Sequence, residues 1–338
     1  MGLANLDQST ISVAMCTYNG ARFLPGQLDS ICKQTILPAE LVIQDDGSSD
    51  DTAGIVARFA SKVPFPVRFV VNAQRKGPAR NFEACIVRCT GDIVILTDQD
   101  DIWLPDRIER TIAAYKDARV TFTYADAPLI DDRDALIGRT IFATVPVRRA
   151  DRHRLAMGGN LLPLILRYGV LYGATMSIRR DVIQAASPFP EGWSHDEWLS
   201  LVGAAMGCAV CMMPVMHYRQ HDTQVIGAGV AGVQAILVRA RHHSVDFYNA
   251  DRARYEAAVR TAGESPLLTS ALRPYLAKKY QFLLSRQAVQ KGGLAAIRQS
   301  LINILQGNYG LYAGGLRSIA KDLALASRNS LVLGNNTP

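Results

Sequence analysis

Short apolar runs of strand length alternate with stretches of helical periodicity through the first half of the chain. Thr10 to Thr17 is one such run, broken by Tyr18-Asn19-Gly20. Phe23, Leu24, Leu28 and Ile31 then recur at helical spacing, which predicts a helix over 21–34. Glu40 to Gln44 reads as a second strand, ending in Asp45-Asp46-Gly47-Ser48-Ser49-Asp50. Ser48 or Ser49 is expected to cap a helix that starts near Asp51. Val67 to Val71 predicts a third strand, Pro78 to Arg88 a helix and Asp92 to Thr97 a fourth strand. This alternation predicts an α/β fold with a doubly wound, mostly parallel sheet.

Farther on, Leu104 to Tyr115 predicts a helix and Val120 to Tyr124 a strand, with Asp131-Asp132-Arg133-Asp134 as the polar turn of a hairpin. Residues 139–168, rich in Arg and Gly, read as a long surface segment. Gly173 to Ile178 returns to strand character, and Ser194-His195-Asp196-Glu197 opens a helix. The uncharged run Trp198 to Met216 approaches membrane-span length, but Gly203, Gly207 and Pro214 divide it into a helix and a strand. Val215 to His221 is a last extended segment, and helical patterns dominate from Val225. Two parts are expected, a catalytic domain over 1–224 and a helical region over 225–338.

Charge sharpens that division. Residues 225–338 carry 14 Lys and Arg against 5 Asp and Glu, whereas the first 224 residues carry 23 against 25. The basic helices are expected either to rest on anionic lipid or to form a solvated cap, and no nucleic-acid motif accompanies the charge. The start of the chain lacks a charged segment followed by an apolar run, so no secretory leader is expected. The six cysteines are scattered through predicted strands and helices, which favours reduced thiols in the cytoplasm over a disulfide framework or a zinc site.

The chemistry concentrates where strands end. Right-handed crossovers bring the polar ends of the strands to one edge of the sheet. There the run Ile93 to Thr97 meets Asp98, Asp100 and Asp101, whose mutual repulsion invites a cation. Oxygen-only ligands without nearby Cys or His suit Mg²⁺ or Mn²⁺ and a metal-bound diphosphate; the plainer reading is an acidic turn opening the next helix. G-x-G-x-x-G and P-loop motifs are absent.

Thr17-Tyr18-Asn19-Gly20, Gln44-Asp45-Asp46-Gly47-Ser48-Ser49-Asp50, Gly77-Pro78-Ala79-Arg80-Asn81-Phe82, Asp98-Gln99-Asp100-Asp101-Ile102-Trp103 and His195-Asp196 occur in this order. In this the chain resembles the family 2 glycosyltransferases of GT-A fold over roughly its first two thirds. The variants DQDDIW, HDEW and YRQH resemble bacterial rhamnosyltransferases of O-antigen and other polysaccharide synthesis. The resemblance implies an inverting, metal-dependent transferase at the inner face of the membrane, with a dTDP- or UDP-sugar donor and a glycan or lipid-linked acceptor. It implies that Thr17, Tyr18 and Asn19 contact base and ribose, that Asp46 accepts from the pyrimidine, and that Arg80 faces phosphate. Asp100 would bind the metal, joined by His221, while Asp98 acts on the ribose or through water. Asp196 matches the general base, with Glu197 as its rival. His195, Glu197 and Trp193 would lie toward the acceptor. The alternatives are a sugar nucleotidyltransferase, which would want a Gly-rich basic loop after the first strand, and a non-catalytic glycan-binding or scaffolding protein.

Overall fold

The computed structural model describes residues 9–145, 147–169, 171–222, 224, 245–290 and 293–313, with isolated positions out to 322. They group into two compact units, one built from 1–161, 170–189 and 193–233, the other from 162–169, 190–192 and 234–338.

In the first unit, strands β1 (Ile11–Thr17), β2 (Glu40–Asp45), β3 (Val67–Val71) and β4 (Ile93–Thr97) alternate with helices α1 (Leu24–Cys32), α2 (Thr52–Ala60) and α3 (Pro78–Arg88). A short β5 (Ile102–Trp103), α4 (Arg107–Ala114), β6 (Val120–Ala125), β7 (Pro128–Ile130) and β8 (Leu136–Thr140) follow. Strands β1 to β4 pair in parallel, and in register Thr17 lies opposite Asp45 and Met15 opposite Thr97. The tips of β1 and β2 are therefore level, and β4 ends two residues short of them on the same edge. β4 is buried along its whole length, as its unbroken apolar run requires. Phe82, Cys85 and Ile86 of α3 cover β1 and β2.

The sheet departs from the expected pattern at one strand. β9 (Ser177–Arg179) lies between β4 and β6 and is antiparallel to both, so the seven-stranded order is β10-β6-β9-β4-β1-β2-β3, with β10 spanning Cys208–Met212. Gly173–Thr175 forms a 3₁₀ turn instead of the start of that strand. A second sheet, β5-β11-β7-β8, includes β11 (Met216–Arg219), and the Asp131–Asp134 turn closes the β7–β8 hairpin.

The segment 139–168 is not a long loop. It holds α5 (Ile141–Thr144), α6 (Arg149–Met157) and α7 (Leu162–Tyr168), whose Ile141, Leu155 and Leu164 are buried. Nor does a serine cap α2: Asp51 occupies that position without a capping bond, its carboxylate accepting from Arg58 instead, and Ser48 binds Asp45. α8 (Arg180–Ala186) and α9 (His195–Met206) complete the unit, with the Trp198 ring fully enclosed. Cys85 and Cys89 are buried thiols, and among the described residues no cysteine is in a disulfide.

The second unit contains α7, α10 (Val245–Glu264), α11 (Pro266–Ala271), α12 (Arg273–Gln290), α13 (Gly293–Leu305) and α14 (Asn308–Tyr312). Leu268, Leu272, Leu276, Phe282 and Tyr309 are buried in it. Arg286 and the fully buried Asp322 form a two-pronged ion pair, and the Tyr309 hydroxyl donates to the same carboxylate at 2.9 Å. No helix among the described residues is long and apolar enough to cross a membrane.

Candidate active site

Past Thr97 the chain leaves the sheet, and Asp98, Asp100 and Asp101 bring one carboxylate oxygen each to within 4.8 Å of one another. Strand β11 holds this loop in place. The Arg219 amide donates to Asp101 Oδ1 at 3.0 Å and its Nε to the Asp100 carbonyl at 2.6 Å. Its Nη1 reaches the Asp131 carbonyl and Asp134, so the hairpin turn braces the cluster. His221 Nε2 lies 2.8 Å from Asp100 Oδ2, and the His221 ring and the Arg219 guanidinium both pack on Phe23.

Electrostatically the cluster is under-compensated. Asp98 retains some exposed surface yet is closely surrounded by protein, and this burial, with Asp100 and then Asp196 nearby, pushes its pKa up to about 7. Asp101 is fully enclosed and is raised well above the carboxylate range, first by burial and then by Asp100 and Asp98. Its Oδ2 has no hydrogen-bond partner among the described atoms. A buried, unpartnered oxygen beside two more carboxylates suits a hard divalent cation. The sequence brings all three carboxylates to this strand end and the resemblance assigns the metal to Asp100; the structure adds Asp101 as a candidate ligand.

Arg107 sits near this cluster, with no exposed surface. Its guanidinium stacks 4.0 Å over Trp103, and Nη2 donates to the carbonyls of Leu96 at 3.1 Å and Ala174 at 2.7 Å. Burial pulls its pKa down to about 9, while Asp101 and Asp98 act to hold the proton on.

The turn after β1 is tied to the acidic loop by Gln99. Its Oε1 accepts from the Tyr18 amide at 2.9 Å and its Nε2 donates to the Tyr18 carbonyl at 3.1 Å. A β-carbon at Gly20 would stand 2.3 Å from Gln99 Oε1, so any larger residue there would displace the Gln99 amide from the turn. Asn19 adopts φ 48° and accepts from the Ser49 amide at 2.8 Å. Tyr18 is partly exposed and lies under the Arg75 guanidinium at 4.0 Å. Gln99 and Arg75 were not singled out in the sequence.

Several predicted nucleotide contacts are engaged elsewhere. Thr17 is buried and its hydroxyl donates to Asp45 at 2.7 Å. Asp46 accepts from the Lys76 and Gly77 amides at 2.7 and 2.9 Å and from Asn72 Nδ2 at 2.9 Å, so it shapes the loop ahead of α3. Arg80 pairs with Glu83 at 2.5 Å and donates to the Phe189 carbonyl.

Asp196 opens α9. Its Oδ1 accepts from Ser194 Oγ at 2.6 Å, and Oδ2 lies 3.4 Å from the Gly173 amide. Its charge contributes to the raised pKa of Asp98, which places base candidate and acidic cluster in one field. Glu197 lies beside it on the same helix turn. His195 is half-buried and stacks on Phe82 at 3.9 Å; burial lowers its pKa, and the ring supports the helix start. Trp193 is 5% exposed and meets Trp198 at 61°, a packing role in place of an open face for an acceptor sugar.

Residues 12–184 match the family model described as Glycosyl transferase family 2. A UDP-Glc:alpha-D-GlcNAc-diphosphoundecaprenol beta-1,3-glucosyltransferase of Escherichia coli is 26% identical over 136 residues, 40% of this chain and 52% of that protein. A dTDP-rhamnosyl transferase of Shigella flexneri is 24% identical over 225 residues, 64% of this chain and 75% of the relative. The chain spans about half the length of the first of the curated relatives it matches, at 55%, 49% and 52%. Among solved structures, residues 1–349 of TarS from S. aureus in complex with UDP-GlcNAc superpose with a TM-score of 0.56 at 14% identity, covering 95% of this chain and 92% of that one. The likeness bears out the GT-A type of sheet with C-terminal helices.

Proposed function

We propose, from the premise that this chain belongs to glycosyl transferase family 2, that it transfers a sugar with inversion from a nucleoside diphosphate donor to a glycan or lipid-linked acceptor. The observation that carries this is the cluster of Asp98, Asp100 and Asp101 with the unpartnered Asp101 oxygen, suited to a diphosphate-bound cation, with Asp196, a carboxylate suited to proton abstraction, near enough to act on the Asp98 charge. Asp98, Asp100 and Asp101, with His221 on Asp100, would hold Mg²⁺ or Mn²⁺. The ion, when bound, supplies Lewis-acid stabilisation to the leaving diphosphate.

The chain's own residues do the rest. Ser194 fixes Asp196 Oδ1, leaving Oδ2, with only a long contact to the Gly173 amide, as the oxygen that takes the acceptor hydroxyl proton. Partly exposed Tyr18 offers a ring face beside the turn that Gln99 braces, suited to the nucleotide base, with Asn19 next to it. The Shigella relative named for dTDP-rhamnose supports a dTDP-sugar donor, and the E. coli relative named for a diphosphoundecaprenol acceptor supports work at the inner face of a bacterial membrane in polysaccharide synthesis.

The test is calorimetric titration with dTDP and UDP, with and without Mn²⁺, on the wild type and on Asp196→Asn. Metal-dependent binding that survives the substitution while transfer is abolished supports the assignment. Nucleotide binding that ignores the metal, or an active Asp196→Asn, refutes it.

A further inference from the structure

In the second unit α13 is turned inside out. Ala296, Ser300 and Asn303 face inward, and Asn303 Nδ2 donates to Ser285 Oγ at 2.8 Å. Outward stand Ile297, Leu301, Ile304 and Leu305, 51, 54, 40 and 86% exposed, at the spacing of one helical stripe. Leu311 and Leu316 beyond it are 48 and 83% exposed. A helix in water buries its apolar face, and a stripe this large that stays outside marks a surface that something apolar covers.

Charge selects what covers it. Between Glu264 and Asp322 the chain carries 8 Lys and Arg and no Asp or Glu. Lys279 and Arg286 are buried, the latter on Asp322, whereas Arg273, Lys278 and Arg298 are exposed. Arg298 stands beside Ile297 at the stripe itself, so a second copy of this face would bring like charges together, while anionic headgroups would meet the cation and acyl chains would meet the leucines. We infer that the exposed stripe of α13, continued by Leu311 and Leu316, seats the protein on an anionic lipid surface, lying in the interface without crossing it. This goes beyond the transferase reading and stands without it.

The experiment is flotation of the full chain with vesicles of phosphatidylcholine alone and of phosphatidylcholine with 30% phosphatidylglycerol (the mixture is set by us, about one anionic lipid in three, to give an inner-leaflet-like surface potential). Binding is expected on the anionic vesicles only and should weaken as salt rises. Leu301→Gln/Leu305→Gln should weaken it about a hundredfold, some tenfold for each apolar side chain withdrawn from the interface. Both positions are exposed, so folding is retained, and circular dichroism checks this. Absence of binding to anionic vesicles overturns the inference. So does binding that the double variant leaves unchanged, which would be adsorption by charge alone. So does a stable oligomer in light scattering that the same variant dissociates, which would make the stripe a contact between copies. Nucleotide binding measured on the same samples keeps this result separate from the fate of the transferase reading.

Discussion

Replacing Arg107 by Met tests how the acidic cluster is tolerated inside the protein. The substitution keeps most of the volume over Trp103 but removes the charge that opposes Asp98 and Asp101, together with hydrogen bonds to the carbonyls of Leu96 and Ala174. Breaking a buried ionic arrangement by deleting one partner costs about 3–5 kcal/mol, because the remaining charge stays uncompensated. At about 2–4 °C per kcal/mol for a domain of this size, the melting point should fall by roughly 6–20 °C. Calorimetric melting without metal, at a pH where the carboxylates ionise, measures it. Because the extra negative charge left behind attracts cations, Mn²⁺ should raise the melting point of the variant more than that of the wild type. Adding Asp101→Asn should recover part of the loss, since the carboxylate that needed Arg107 is gone. A fall of less than about 3 °C, or a double variant showing only the sum of the single effects, would refute the view that Arg107 is the cluster's counter-charge.

Three further outcomes are expected. Asp196→Asn should reduce transfer by about 10³-fold or more while Glu197→Gln keeps most of it, measured as turnover at saturating donor; the reverse order would exchange their roles. Asp98 and Asp101 are raised above their unfolded values, so their contribution to stability is fullest at low pH and is lost as pH climbs toward about 7 in metal-free protein. The rise in melting point given by Mn²⁺ should therefore be larger at pH about 8 than at about 6, and an equal rise at both would separate the ion from these carboxylates. Gly20→Ala should displace Gln99 and weaken nucleotide binding at least tenfold, whereas an unchanged affinity would mean that the turn is not part of the nucleotide site.

Strands β1 to β4 and the acidic loop were legible because each is a short, mostly apolar run that ends in turn residues, signals contained within a few positions. β9 is shorter than the Gly173 to Ile178 run suggests, because Gly173–Thr175 turns as a 3₁₀ helix, and a run as short as Ser177–Arg179 carries no sign of its direction. The helices of 139–168 were hidden by arginines, which suggest solvent although Leu155, Leu164 and Ile165 are buried. At the site, Asp196 and Asp100 stood out as motif carboxylates. Asp46 has partners in the 72–77 loop and Arg107 has carbonyls far along the chain, and such non-local bonds leave no trace in spacing. Trp193 and His195 share motif positions with exposed residues, but their rings found Trp198 and Phe82.

The double bond of Gln99 to the Tyr18 backbone has a thermodynamic consequence. The residue between two candidate metal ligands clamps the turn proposed to meet the nucleotide, so stilling either segment lowers the entropy still to be lost by the other. Under the proposed function, ion and nucleotide would then be cooperative partners whose affinities rise by the same factor, whichever binds first. Selectivity for a charged donor over a free nucleoside follows from this coupling, because only a ligand carrying the diphosphate engages both sides of the clamp.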